Sequence, residues 1–95
     1  MIRMTVSYPS SDTGTFDHDY YLATHVPLCA ATWKPVSTSV DKGVNGPNVA
    51  AVHLTFETMD HFQAAMADPG SAAVIADVAN YTNIAPVMQI SEIVA

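Results

Sequence analysis

Tyr21 and His25 stand four residues apart in the stretch 14–28, which reads Gly-Thr-Phe-Asp-His-Asp-Tyr-Tyr-Leu-Ala-Thr-His-Val-Pro-Leu. On a helix that spacing makes them neighbours, bringing a phenol and an imidazole within reach of one small ligand. An imidazole titrates near neutral pH and serves as general base or acid, so proton transfer is the chemistry such a pair can perform. The structural alternative for His25 is a ring bonded to the carbonyl that Pro27, lacking an N–H, leaves free. Asp77 falls between Val74 and Val78 on an apolar stripe and lies four residues from Tyr81. A carboxylate placed there is expected to have a raised pKa or a bond to Tyr81; capping or plain solvation is the alternative. His25, Tyr21 and Asp77 are therefore the candidate catalytic residues. Tyr20, His53, Tyr81 and Gln89 are the candidate substrate contacts, although tyrosines commonly pack with only the hydroxyl reaching out. His18 and His61 read as ordinary helix residues.

Other chemistries lack a motif. His18 and His25 are seven apart and His53 and His61 eight, so neither makes the i, i+4 pair of a helical zinc site. A dinucleotide-binding glycine fingerprint, a phosphate-binding loop and a nucleophile elbow are all missing. Cys29, the only cysteine, falls on a core stripe and reads as a small hydrophobe. No metal and no bound cofactor is expected.

The elements that must position these residues follow from periodicity. Asp17 is a good N-cap, which starts a helix at about His18, with Asp19 adding charge at the positive end of the helix dipole. Leu22, Val26, Cys29 and Trp33 form its inward stripe, with Tyr21, His25, Leu28 and Thr32 beside it. Pro27 falls on the outer side and predicts a kink at His25-Val26; Lys34-Pro35 ends the helix. Alternation predicts strands over 2–8, 36–44, 49–57 and 87–94. Thr58 caps a second helix, and Ser71 is placed to cap a third, running to about residue 79. The order is β-α-β-β-α-(α)-β, an α+β, ferredoxin-like split βαβ whose four-stranded antiparallel sheet has helices on one face.

The other face gathers Thr5, Ser7, Ser37, Ser39, Ala51, His53, Thr55, Gln89 and Ser91. A solvated face usually carries Lys and Glu. Small uncharged groups suit shelter against a second sheet, with a cavity between the two and His25 aimed into it.

The motif Phe16-Asp17-x-Asp19-Tyr20-Tyr21-x-x-x-His25-x-Pro27-Leu28 resembles that of the EthD family, in the dimeric α/β-barrel superfamily. The resemblance extends through Val6-Ser7-Tyr8-Pro9, Val52-His53-Leu54-Thr55-Phe56 and Ala76-Asp77-Val78-Ala79-Asn80-Tyr81-Thr82. It implies one domain over residues 1–95, pairing through the open sheet face as a homodimeric α/β barrel. It also implies an oxidoreductase-associated protein of the kind linked to ethyl tert-butyl ether degradation. Acting without a cofactor, such a protein would transform a small, largely apolar molecule by acid/base chemistry. A non-catalytic ligand-binding or dimerisation module serving a degradation pathway is the other reading.

Composition agrees. At 95 residues, only about two-thirds of the unfolded surface can be buried by one chain alone. Charged residues are only 13%, as suits a surface partly covered by a partner. A net charge of −6 with three Lys and Arg excludes phosphate neutralisation and a polybasic patch, so neither nucleic acid nor an anionic membrane is an expected partner. No stretch of about 18 apolar residues and no basic leader followed by an apolar run occurs, so a cytoplasmic protein is expected.

Overall fold

The computed structural model describes residues 1–95. Its elements are β1 (Ile2–Pro9), α1 (residues 18–33), β2 (Ser37–Lys42), β3 (Asn48–Phe56), α2 (Met59–Met66), α3 (Ser71–Asp77) and β4 (Val87–Glu92). A 3-10 turn, Val78–Asn80, continues α3. All pairings are antiparallel and the strand order is β2-β3-β1-β4, the ferredoxin-like α+β arrangement.

Period-two alternation fixes the faces. In β1, Met4, Val6 and Tyr8 are buried beneath the helices, while Arg3, Thr5 and Ser7 face away. In β3, Ala50, Val52, Leu54 and Phe56 join the same core, and Tyr8, Tyr21, Phe56, Met4 and Leu54 are its largest fully buried side chains. Residues paired directly across strands share a face. Met88, opposite Val6, and Ile90, opposite Met4, therefore belong to the helix side; both are exposed because β4 is an edge strand that the helices leave partly bare.

The N-caps behave as their chemistry dictates at two ends and differently at a third. Asp17 accepts from the Tyr20 N–H at 3.0 Å, and Thr58 from the His61 N–H at 3.0 Å. Ser71 caps nothing. Gly70 stands at the cap position, and the Ser71 hydroxyl instead accepts from Trp33 Nε1 at 2.8 Å and donates to the Ala65 carbonyl at 3.3 Å. That hydroxyl is used to tie α1 to the α2-α3 turn. Strand β2 stops at Lys42, earlier than alternation suggests, because residues 43–47 form the hairpin loop in which Gly46 takes φ 122°.

Two chain segments far apart in sequence are stitched together at the start of α1. Asp17 N–H donates to the Tyr81 carbonyl at 2.8 Å, Thr82 Oγ1 to the Thr15 carbonyl at 2.6 Å, and Asn83 accepts from the Thr15 N–H at 2.8 Å. These bonds bring the end of α3 beside α1, which sets the site.

Candidate active site

Helix α1 is not a uniform α-helix. After one α-helical turn, His18–Tyr20, it widens to a π-helical turn, Tyr21–His25, and returns to α-helix over Val26–Trp33. Val26 N–H bonds back five residues to the Tyr21 carbonyl. The next residue, Pro27, has no N–H to give, and its ring crowds the carbonyl four residues earlier; a wide turn just before it removes both conflicts. The kink expected at His25-Val26 is thus expressed as a π turn.

That turn decides which side chains face inward. In a regular α-helix a four-residue step drifts by about 40°. The wide turn takes back part of this drift, so Tyr21, His25, Cys29 and Trp33 form one buried line. Leu22, expected on the inward stripe, is 55% exposed. Tyr21 and His25 take its place.

His25 and Asp77 meet at the centre of the site. Nδ1 of His25 lies 2.9 Å from Asp77 Oδ2, with the two side chains only 5% and 12% exposed. Oδ1 of the same carboxylate accepts from the Tyr20 hydroxyl at 2.6 Å and from Asn80 Nδ2 at 2.9 Å. These donors, Tyr20 first, then Asn80 and His25, hold the Asp77 carboxyl below the usual carboxylate range against the opposing effect of burial. This reverses the raised pKa expected from the apolar stripe. The same bond to Asp77 raises the Tyr20 hydroxyl above its ordinary value. An ionised carboxylate only accepts, so Nδ1 carries the hydrogen and neutral His25 keeps its lone pair on Nε2.

Asp77 bonds to Tyr20 and His25 and not to Tyr81. The Tyr81 hydroxyl meets that of Tyr8 at 2.6 Å, while its ring packs on His25 with centroids 4.5 Å apart. Tyr21 stacks on the imidazole at 5.5 Å and 18°, beside Tyr81, whose ring centroid is 4.9 Å from its own. Burial pushes the Tyr21 and Tyr81 phenols far up, so both remain protonated. The imidazole packs against this pair of rings and is anchored at one nitrogen.

Its other nitrogen belongs to a cavity of about 270 Å³ between the sheet and the helices. Val6 and Leu54 contribute from the sheet, Cys29 and Trp33 from α1, Val74 and Val78 from α3 and its turn. Ile75 and Met88, 69% and 57% exposed, stand at the rim. Trp33 Nε1 is spent on Ser71, and burial pushes the Cys29 thiol up to about 12, so it is no nucleophile at neutral pH. Nε2 of His25 has no protein partner, yet no buried side-chain nitrogen or oxygen is left unpaired. The atom is therefore reachable, and it is the free acceptor in an apolar chamber.

His53 and Gln89 lie elsewhere. Thr5, opposite both His53 and Gln89, puts them on the sheet face away from the helices. His53 Nε2 bonds Asp41 Oδ2 at 2.8 Å, its Nδ1 meets Thr5 Oγ1 at 3.2 Å, and Gln89 donates to Ser91 at 3.0 Å. The single site expected from the sequence is thus divided by the sheet: the cavity holding His25 is roofed by the chain's own helices, not by a second sheet. Tyr8, which the sequence reading treated only as a strand residue, lines that cavity. No three His, Cys, Asp or Glu side chains converge in a metal-binding arrangement. No helix is long and apolar enough to cross a membrane.

No family model and no curated protein matches the chain. Solved structures do. An EthD-like protein from Ralstonia eutropha JMP134 is 37% identical, with a TM-score of 0.90 over 99% of this chain and 92% of that one. An ethyl tert-butyl ether degradation (EthD) family protein from Bacillus halodurans C-125 is 17% identical, with a TM-score of 0.79 over 99% of both chains. SnoaB, a cofactor-independent oxygenase from Streptomyces nogalater, is 10% identical, with a TM-score of 0.73 over 97% of this chain and 91% of that one, a likeness of fold.

Proposed function

The chain belongs to the EthD family, and on that premise we propose that His25, oriented by Asp77, is the general base of a small catabolic enzyme acting on a largely apolar organic molecule. One observation carries this reading: the only unpartnered acceptor reaching the apolar cavity is Nε2 of an imidazole whose other nitrogen is fixed by an ionised carboxylate. Asp77 holds the tautomer and stabilises the imidazolium formed when Nε2 takes a proton. Tyr20 and Asn80 hold Asp77, and Tyr21 and Tyr81 fix the plane of the ring. The chemistry needs no cofactor, and the fold is shared with a protein that is a cofactor-independent oxygenase, which supports an oxidoreductase-associated role.

The reading includes a homodimer. The sheet face bearing Thr5, His53 and Gln89, whose charged groups are Arg3 and Asp41, is the surface through which a second copy pairs, so His53 and Gln89 serve the pairing or a ligand held there, separately from His25.

Titration of the ¹⁵N-labelled protein with 2-naphthol tests the site, because a ligand in the cavity shifts the His25 ring resonances and His25→Ala weakens its binding. Incubation of small ethers, phenols and ketones with the wild type, followed by ¹H NMR, then tests catalysis. Turnover lost by about 10²–10⁴-fold in His25→Ala supports the base. Binding without any turnover identifies a ligand-binding module instead, and 2-naphthol that leaves the His25 signals unmoved removes the site.

A further inference from the structure

Tyr8 and Tyr81 are 2% and 3% exposed and their hydroxyls lie 2.6 Å apart. Two hydroxyls carry two hydrogens, and one bond joins them. Neither oxygen has another partner at full hydrogen-bond distance, and the Tyr21 hydroxyl, which also acts on Tyr8, brings a hydrogen of its own that needs an acceptor. A buried O–H without an acceptor is unfavourable, so its destination matters. Tyr8 lines the apolar cavity beside His25 and Tyr81 does not. When Tyr81 donates to Tyr8, the Tyr8 hydrogen is free to turn to a ligand, and each hydrogen has somewhere to go. Burial raises both phenols, so both stay protonated and each keeps a hydrogen to place.

We propose that Tyr8 is a second catalytic residue of this cavity, donating its hydroxyl hydrogen to an oxyanion, and that the substrate is an enolisable ketone or aldehyde carried on one or two apolar rings. The proposal rests on the reading of His25 as the base. An acceptor at Nε2 and a donor at Tyr8, in one chamber otherwise lined by apolar groups, match the two ends of an H–C–C=O unit. Nε2 takes the hydrogen from the carbon beside the carbonyl. The C–H electron pair becomes the new C=C bond, the carbonyl pair moves onto oxygen, and that oxyanion accepts the Tyr8 O–H. The imidazolium, facing Asp77, then returns a proton. No Lys or Arg lines the chamber, so a carboxylate or phosphate would shed its hydration there without a cation to meet it. Tyr81 is a positioning residue, polarising Tyr8 through the hydrogen bond.

The probe is 2-tetralone, a bicyclic ketone, whose α-hydrogen exchange in D₂O is followed by ¹H NMR. Wild-type protein is expected to accelerate exchange, Tyr8→Phe to reduce the acceleration by about 10²-fold, as for loss of one oxyanion donor, and Tyr81→Phe by less. Binding controls for folding: Tyr8→Phe weakens 2-naphthol about tenfold and leaves naphthalene unchanged, which shows the chamber intact. Exchange that depends on His25 but is unaffected by Tyr8→Phe overturns the role of Tyr8 and spares the base. Equal weakening of naphthol and naphthalene by Tyr8→Phe also overturns it. Wild-type exchange no faster than buffer overturns the substrate class, and failure of His25→Ala to alter either exchange or naphthol binding overturns the underlying reading as well.

Discussion

Asp77 Oδ2 lies 2.9 Å from His25 Nδ1 although 52 residues separate the two in the chain. That distance fixes the orientation of a helix histidine, because a carboxylate on one ring nitrogen leaves the lone pair on the other. Asp77→Asn offers Nδ1 no negative partner for the imidazolium. The expected result is a loss of about 10²-fold or more in any His25-dependent turnover, with 2-naphthol affinity changed far less, measured by NMR rates beside a binding titration.

The clamp on Asp77 has a pH signature. Its folded pKa is depressed, chiefly by the Tyr20 hydroxyl, below the usual value of about 3.9. A depressed acid stabilises the fold above the unfolded pKa and loses that contribution as pH falls through the folded one. Tyr20→Phe relaxes the depression, so its stability deficit relative to wild type is largest at neutral pH and closes below about pH 4. Urea unfolding at a series of pH values measures it. A deficit independent of pH would assign Tyr20 to packing alone.

Leu54 is fully buried in β3 and lines the cavity. Truncation to Ala removes core contacts and enlarges the chamber, costing about 2–5 kcal/mol, which calorimetry reads as a large fall in Tm. The enlarged chamber is expected to bind a three-ring ligand such as anthracene more tightly than the wild type does.

Cys29, 4% exposed and with its thiol pushed up to about 12, is expected to resist a disulfide reagent in the native protein and to react promptly in denaturant. Binding of 2-naphthol slows the native reaction further, since thiol and ligand share the cavity.

The polar sheet face predicts the assembly. Light scattering is expected to give twice the 10.1 kDa chain mass, and Thr5→Arg, which buries a charge in the middle of that face, the mass of one chain. A wild-type mass of one chain would end the dimer proposal without touching His25, whose cavity is closed by the chain's own helices.

What the sequence determined alone is what neighbouring residues encode. Alternation in residues 2–8 and 49–57 set which side chains of β1 and β3 are buried, and Asp17 and Thr58 marked helix starts, because strand faces and N-caps depend on residues one to four apart. For His25 the local pattern gave only the border of the buried face. The tertiary structure decided the rest. Pro27 turned the expected kink into a π turn, which exchanged Leu22 for Tyr21 on the buried line. Asp77 found Tyr20 and His25 across the fold, which lowered the pKa that its own helix stripe suggested would rise. The sheet placed His53 and Gln89 on one side and His25 with Tyr8 on the other. Hydrogen-bond partners and cavities form between segments some 50 to 70 residues apart, where packing chooses among many possible neighbours and local periodicity carries no information about the choice.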